Sequence, residues 1–149
     1  MYHSKCSNHV NRYDFGGEPY VTNIRQQTCQ NPYFRRALWT GDHLQLTLMC
    51  IPVYGEVGLE VHNREDQFLR IESGQGWVEM GPSRSNMYYQ CYVKSGDAIF
   101  VPAGYWHNLV NVGATPLALY SIYAPPHHEK GTLHRTKEEA DHDHHNHHH

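Results

Sequence analysis

The chain has 149 residues, a formal net charge of -3 with histidine neutral, and 39% hydrophobic residues. That length fits one domain with a hydrophobic core. No tract reaches the roughly 20 apolar residues of a membrane helix, and no basic cluster offers a nucleic-acid footprint. Met1–Cys6 lacks an apolar signal core, so the expected location is cytoplasmic. The four cysteines (Cys6, Cys29, Cys50, Cys91) form no Cys-x-x-Cys pair and read as free thiols, with Cys50 and Cys91 inside strands.

Residues 1–30 are polar and weakly periodic, and read as an N-terminal arm in which Tyr20–Ile24 is a short strand or part of the arm. Patterning improves from Phe34. Leu44, Leu46 and Leu48 alternate with Gln45, Thr47 and Met49, a half-buried strand that Pro52 closes. Val57, Leu59 and Val61 then face one way, and Glu60 and His62 the other. A polar turn leads to a second alternating segment from Gln67 to Glu72, and Gly74-Gln75-Gly76 turns the chain into Trp77–Met80.

Met87–Lys94, Ala98–Val101, Trp106–Asn111 and Leu117–Tyr123 read as further strands separated by turns. Eight or more short strands without sustained helical periodicity argue an all-β sandwich or barrel over residues 31–126. Tyr54, Trp77, Tyr89 and Phe100 read first as core, and core packing is also the first reading of Tyr105 and Trp106 beside His107. After Pro126 the character changes. Thr136-Lys137-Glu138-Glu139 has the form of a capping box, predicting one or two helical turns. Nine of the 14 histidines lie from His127 onward, so 127–149 reads as a flexible His-rich tail that binds Ni, Zn or Cu loosely if it binds at all.

Two stretches carry chemistry. Gly96, Pro102, Gly104, His107 and Asn111 match the second cupin motif at every fixed position. Gly55, Glu60, His62, Gln67 and Gly74 follow the first motif, with Glu60 in place of its first His, Gln67 in place of its Glu, and the leading Gly one residue closer. The chain therefore resembles the cupin superfamily, in particular small bacterial single-domain cupins labelled mannose-6-phosphate-isomerase-like. The resemblance implies a jelly-roll barrel (double-stranded β-helix) holding one metal ion on four side chains, here Glu60, His62, Gln67 and His107. It also implies a homodimer through strand or arm exchange.

Two imidazoles, one carboxylate and one amide suit a divalent transition metal, Zn, Mn, Fe or Ni. The lack of thiolate argues against a closed structural zinc site. Glu65 and Asp66 stand close to Gln67 as substitute ligands, but read first as a solvated turn. Gly96 and Gly104 read as turn formers, and Asn111 as a structural hydrogen-bonder.

Two functions follow. One is a metal-dependent enzyme, isomerase-like or dioxygenase-like, acting on a small polar molecule, with Glu60 or a water as the catalytic base of an isomerisation. The other is a module that binds metal and a small ligand without turnover. A phosphosugar isomerase calls for a cation at the pocket, for which Arg36, Arg64 and Arg70 are available.

Overall fold

The computed structural model describes residues 14–147, the last four by backbone alone. Residues 1–13 of the expected arm, Cys6 among them, and residues 148 and 149 lie outside the described residues. Tyr20–Ile24 forms no strand. Instead Asn23 caps a short helix, α1 (Ile24–Gln30), its Oδ1 accepting from Gln26 N at 2.9 Å. Residues before the helix pack on their own chain: Phe15 N donates to Leu38 O, and Trp39 Nε1 to Glu18 O.

Ten strands follow: β1 (Arg35–Thr40), β2 (Gln45–Ile51), β3 (Glu60–Val61), β4 (Asp66–Ser73), β5 (Gln75–Gly81), β6 (Tyr89–Lys94), β7 (Ala98–Val101), β8 (Trp106–Asn111), β9 (Leu117–Ala124) and β10 (Leu133–His134). They form two antiparallel sheets. One has the order β10-β1-β2-β9-β4-β7, the other β3-β8-β5-β6. This is the expected jelly roll. Met49, Ile51, Ile71, Val78, Leu109 and Leu119 meet between the sheets, each buried.

The pattern was misleading in three places. In β2 the interior belongs to the polar-looking face: Gln45 and Thr47 are fully buried beside Met49, whereas Leu44 is 41% exposed. The barrel interior carries a polar site, and Leu46 and Leu48 take the other face, where α1 packs against β2. The predicted strand over 57–62 shrinks to Glu60–Val61 because Gly58 sits at φ 103, a conformation that breaks alternation. Tyr54, Tyr89 and Phe100 are exposed rather than core. Tyr54 lies in a turn at φ 68, and β6 and β7 are sheet edges whose outer faces nothing covers among the described residues. Trp77 is half-buried, its Nε1 donating to Glu79 Oε2.

The segment after Pro126 is more ordered than its composition suggested. β10 pairs with β1, Arg35 opposite His134, and so adds an edge to the larger sheet. Helix α2 (Lys137–His147) runs on through residues read as low complexity. The predicted cap is present: Glu139 N donates to Thr136 Oγ1 at 3.1 Å, and Arg135 N to Glu139 Oε1 at 3.0 Å. Among the described residues no helix is long and apolar enough to cross a membrane. Cys29, Cys50 and Cys91 are free thiols, the last two in β2 and β6.

Asn111 does the structural work expected of it. Its Nδ2 donates to Ile51 O, Pro52 O and Thr115 O at 3.0, 3.2 and 2.9 Å, and its Oδ1 accepts from Gly113 N. One buried amide thus serves the carbonyls of two turns. Asn111→Ala is expected to lower unfolding free energy by about 3 kcal/mol, because those groups lose a partner where water reaches them poorly. Urea denaturation measures this, and a loss below about 1 kcal/mol would show that water replaces the amide.

Candidate metal centre

Strand register explains why the two motifs meet. β3 pairs with β8 so that Glu60 lies opposite His107 and Val61 opposite Trp106. Gly104, at φ 86, turns the chain ahead of β8, and its N–H donates to His62 O at 2.9 Å, fastening His62 to the same loop. Glu60, His62 and His107 thus come together, with one potential ligand atom from each within 4.8 Å of the others. Glu60 Oε1 is 3.2 Å from His62 Nε2 and 3.6 Å from His107 Nε2. Donors about 2.0–2.2 Å from one ion at a tetrahedral angle stand about 3.3–3.6 Å apart, so the spacing suits shared coordination.

Hydrogen bonding fixes how these groups are presented. His107 Nδ1 lies 3.1 Å from Tyr105 O, and a carbonyl only accepts, so the proton sits on Nδ1 and the lone pair on Nε2. That Nε2 is buried with no hydrogen-bond partner among the described residues. The same holds for His62 Nδ1 and for Gln67 Oε1. An orphaned buried polar atom costs about 1–3 kcal/mol, and at His107 Nε2, 3.6 Å from Glu60 Oε1, a cation would supply the missing partner. Burial alone pushes the Glu60 carboxyl up. The imidazoles of His107 and His62, with Arg35 beyond them, outweigh it and hold the group well below the usual carboxylate range. Glu60 is therefore an anion facing two imidazoles.

Gln67 is 5% exposed on β4, opposite Tyr123 of β9 and Val101 of β7. Its Nε2 donates to Ser121 Oγ at 2.8 Å, which turns the amide and leaves Oε1 free. With His107 it lines a void of about 10 Å³. Neither substitute ligand is a plain solvated turn. Asp66 Oδ1 accepts from Ala103 N, while Glu65 Oε2 lies 3.4 Å from His127 Nδ1. The His62 and His127 rings pack at 4.1 Å between centroids, closer than His62 and His107 at 5.2 Å.

A cavity of about 730 Å³ opens on Glu60 and His62 of this cluster. Glu60 and His62 line it from β3 and the turn after it, Arg35 from β1, and His127, His128 and His134 from the segment read as a tail. Sequence reading missed these four, because they lie outside both motifs. The signal for the histidines was there, but the His-rich terminus masked it. Trp106, read first as core, is half-buried, lines the cavity and carries Arg84 over its ring at 5.2 Å. Arg36, Arg64 and Arg70 do not line it.

Gln45 holds the wall in place. Its Oε1 accepts from His127 N and His128 N, and its Nε2 donates to His128 O. Burial, with Arg35 and His127 nearby, pushes the His128 imidazole well below its ordinary 6.5, so it stays neutral beside the Tyr123 hydroxyl at 3.3 Å. The unfolded chain protonates this ring below about 6.5 and the folded chain does not. Folding stability is therefore complete above that pH and falls beneath it, by up to about 1.4 kcal/mol per pH unit. Urea midpoints at pH 7.5 and 5.5 should show a smaller drop in His128→Phe than in the parent.

The Cupin domain family model matches residues 47–123. The chain belongs to the cupin family. YrkC of Bacillus subtilis (strain 168) is 54% identical over 127 residues, covering 85% of this chain and 68% of that protein. L612 of Acanthamoeba polyphaga mimivirus is 36% identical over 115 residues, 76% of this chain and 70% of its own. The crystal structure of BH2720 from Bacillus halodurans superposes with a TM-score of 0.86 at 54% identity, covering 87% of this chain and 98% of that one. The family match stops short of Arg35, His127, His128 and His134, so this part of the cupin's cavity wall lies outside the segment the family model describes.

Proposed function

We propose that this cupin is a metal-dependent enzyme for a small polar molecule. One divalent transition ion of the Zn, Mn, Fe or Ni class would sit on Glu60, His62 and His107, with Gln67 as fourth ligand. The observation that carries this reading is the approach of Glu60 Oε1 to His62 Nε2 and His107 Nε2 at 3.2 and 3.6 Å, beside a cavity of about 730 Å³ that Glu60 and His62 line, with His107 Nε2 buried and lacking a hydrogen-bond partner among the described residues. Such an ion, when bound, supplies Lewis acidity and open positions for an oxygen function of the substrate.

The chain's own residues orient and hold protons around it. Tyr105 O fixes the His107 tautomer, Ser121 fixes the Gln67 amide, and Glu60 stays ionised as the nearest base. Both the isomerase-like and the dioxygenase-like chemistries fit this frame. The sugar-phosphate version draws support from Arg35 and Lys137, the cations that line the cavity.

Ion content is the test. The six histidines of 142–149 are replaced by Gln in every protein compared, so that the tail loads no metal of its own. Elemental analysis should then find about one divalent ion per chain, and none in His62→Ala/His107→Ala. Equal content in both would remove the reading. A homodimer belongs to the same proposal, supported by exposed Tyr89, Tyr92 and Phe100 on edge strands. Light scattering at micromolar protein tests it, and a monomer mass would refute it.

A further inference from the structure

The metal ligand set uses the imidazoles and Glu60 and leaves Arg35 outside it, with its guanidinium 5.3 Å from the Phe34 ring centroid. Arg35 is 5% exposed, yet it lines the cavity. Its guanidinium makes one hydrogen bond among the described residues, from Nη1 to His134 Nδ1 at 3.3 Å, and its Nε is buried with no partner. No carboxylate ion-pairs with it there.

The acidic groups lining the cavity make their hydrogen bonds and ion pairs elsewhere, although the Arg35 charge reaches Glu60. Glu60 lies on His62 and His107, Asp141 on Lys137, and Asp143 on His134; Glu129 is exposed. A buried guanidinium normally carries a carboxylate or a similar partner, because burial strips its water.

The arginine is also positioned. Asp143 Oδ2 accepts from His134 Nε2 at 2.8 Å, which puts the His134 proton on Nε2 and leaves Nδ1 to accept from Arg35. Two residues from the C-terminal segment thus aim a planar, permanently charged fork. An ion on Glu60, His62 and His107 would add two positive charges to a pocket where Arg35 supplies one and Glu60 removes one.

We propose that Arg35 is the anion-binding element of this cavity. It takes the carboxylate or phosphate oxyanion of a small ligand whose second oxygen function faces Glu60, His62 and His107. Bidentate pairing with an oxyanion uses the fork in the way its shape permits. The inference rests on the metal reading for the ligand's second oxygen and on Arg35 alone for the anion.

The test is titration calorimetry on the ion-loaded full chain with the 142–149 histidines replaced by Gln. The probes are glycolate, its neutral isostere glycolamide, and orthophosphate. At least one of the two anions should bind, and the tighter identifies carboxylate or phosphate as the natural group. Arg35→Gln should weaken that anion ten-fold or more and leave glycolamide binding and ion content unchanged. Equal anion affinity in parent and variant, or no anion binding to the loaded parent, overturns the proposal.

Should Arg35→Gln fail to fold, Arg35→Lys keeps the charge and loses the fork. It should weaken the anion at least three-fold, and equality again overturns the assignment. A chain that takes up no ion sinks the metal reading instead. The same titrations on ion-free protein then decide the Arg35 assignment by themselves.

Discussion

Glu60→Gln is expected to weaken divalent-ion binding by at least about 100-fold while leaving the fold intact. The substitution keeps the side chain's volume and an oxygen donor. It removes the only carboxylate of the Glu60, His62 and His107 cluster. What remains is two imidazoles and two amides, with no formal charge to hold a dication. A unit charge pair at about 4 Å is worth about 4 kcal/mol at an effective dielectric of 20, so a 100-fold loss, about 2.7 kcal/mol, is a modest demand.

The reverse change tests the same account. Gln67→Glu puts a carboxylate where the first cupin motif has one, and should tighten ion binding about ten-fold. It gives up the amide's hydrogen bond to Ser121, at about 1 kcal/mol of stability. Chelator competition measures both variants. Affinity within three-fold of the parent for Glu60→Gln would show that Glu60 is no ligand and that the carboxylate serves only to orient His62 and His107.

The meeting of Glu60, His62 and His107 was legible because its signals are local. Glu60 and His62 stand two apart, His107 sits in a motif with fixed glycines, and the register that joins them follows from short antiparallel strands. Turn glycines were equally readable, since Gly74, Gly96 and Gly104 all adopt positive φ. The rest of the cavity was not readable in this way.

Arg35 meets His134 across 99 residues, and nothing in the alternation of either segment announces the pair. Gln45 and Thr47 look like the solvent face of a strand whose other face is leucine. Alternation reports that a strand has two faces, but not which one turns inward. In most barrels apolar residues settle that, and here the polar interior reverses it. The exposed aromatics failed for a related reason. Tyr89 and Phe100 have the composition of core residues, but exposure on an edge strand depends on sheet order, which no single strand encodes.

Gln45→Leu should separate the cavity wall from the metal cluster. Leucine fills a similar volume at a position that is fully buried. It offers nothing to His127 N, His128 N or His128 O, which the amide now serves at 3.2, 2.8 and 2.9 Å, nor to Thr40 Oγ1 at 3.0 Å. At about 1 kcal/mol for each lost bond, unfolding free energy should fall by about 3–4 kcal/mol in urea titrations.

The loss should be uneven. Amide exchange at His127 and His128 should speed up well beyond the global change, because their N–H groups lose their acceptor while β4, β5, β8 and β9 keep theirs. Ion affinity should stay within about three-fold of the parent, since the hydrogen bonds of the Gln45 amide go to Thr40, His127 and His128 and not to Glu60, His62, Gln67 or His107. If exchange at His127 and His128 instead tracks the global change, the wall is held by ring packing among Tyr123, His127 and His128 at 4.7–5.5 Å rather than by the buried amide. A parallel loss of ion affinity would mean that His127, packed on His62, takes part in coordination. The ion's site would then extend past the two motifs into the segment that begins at residue 127.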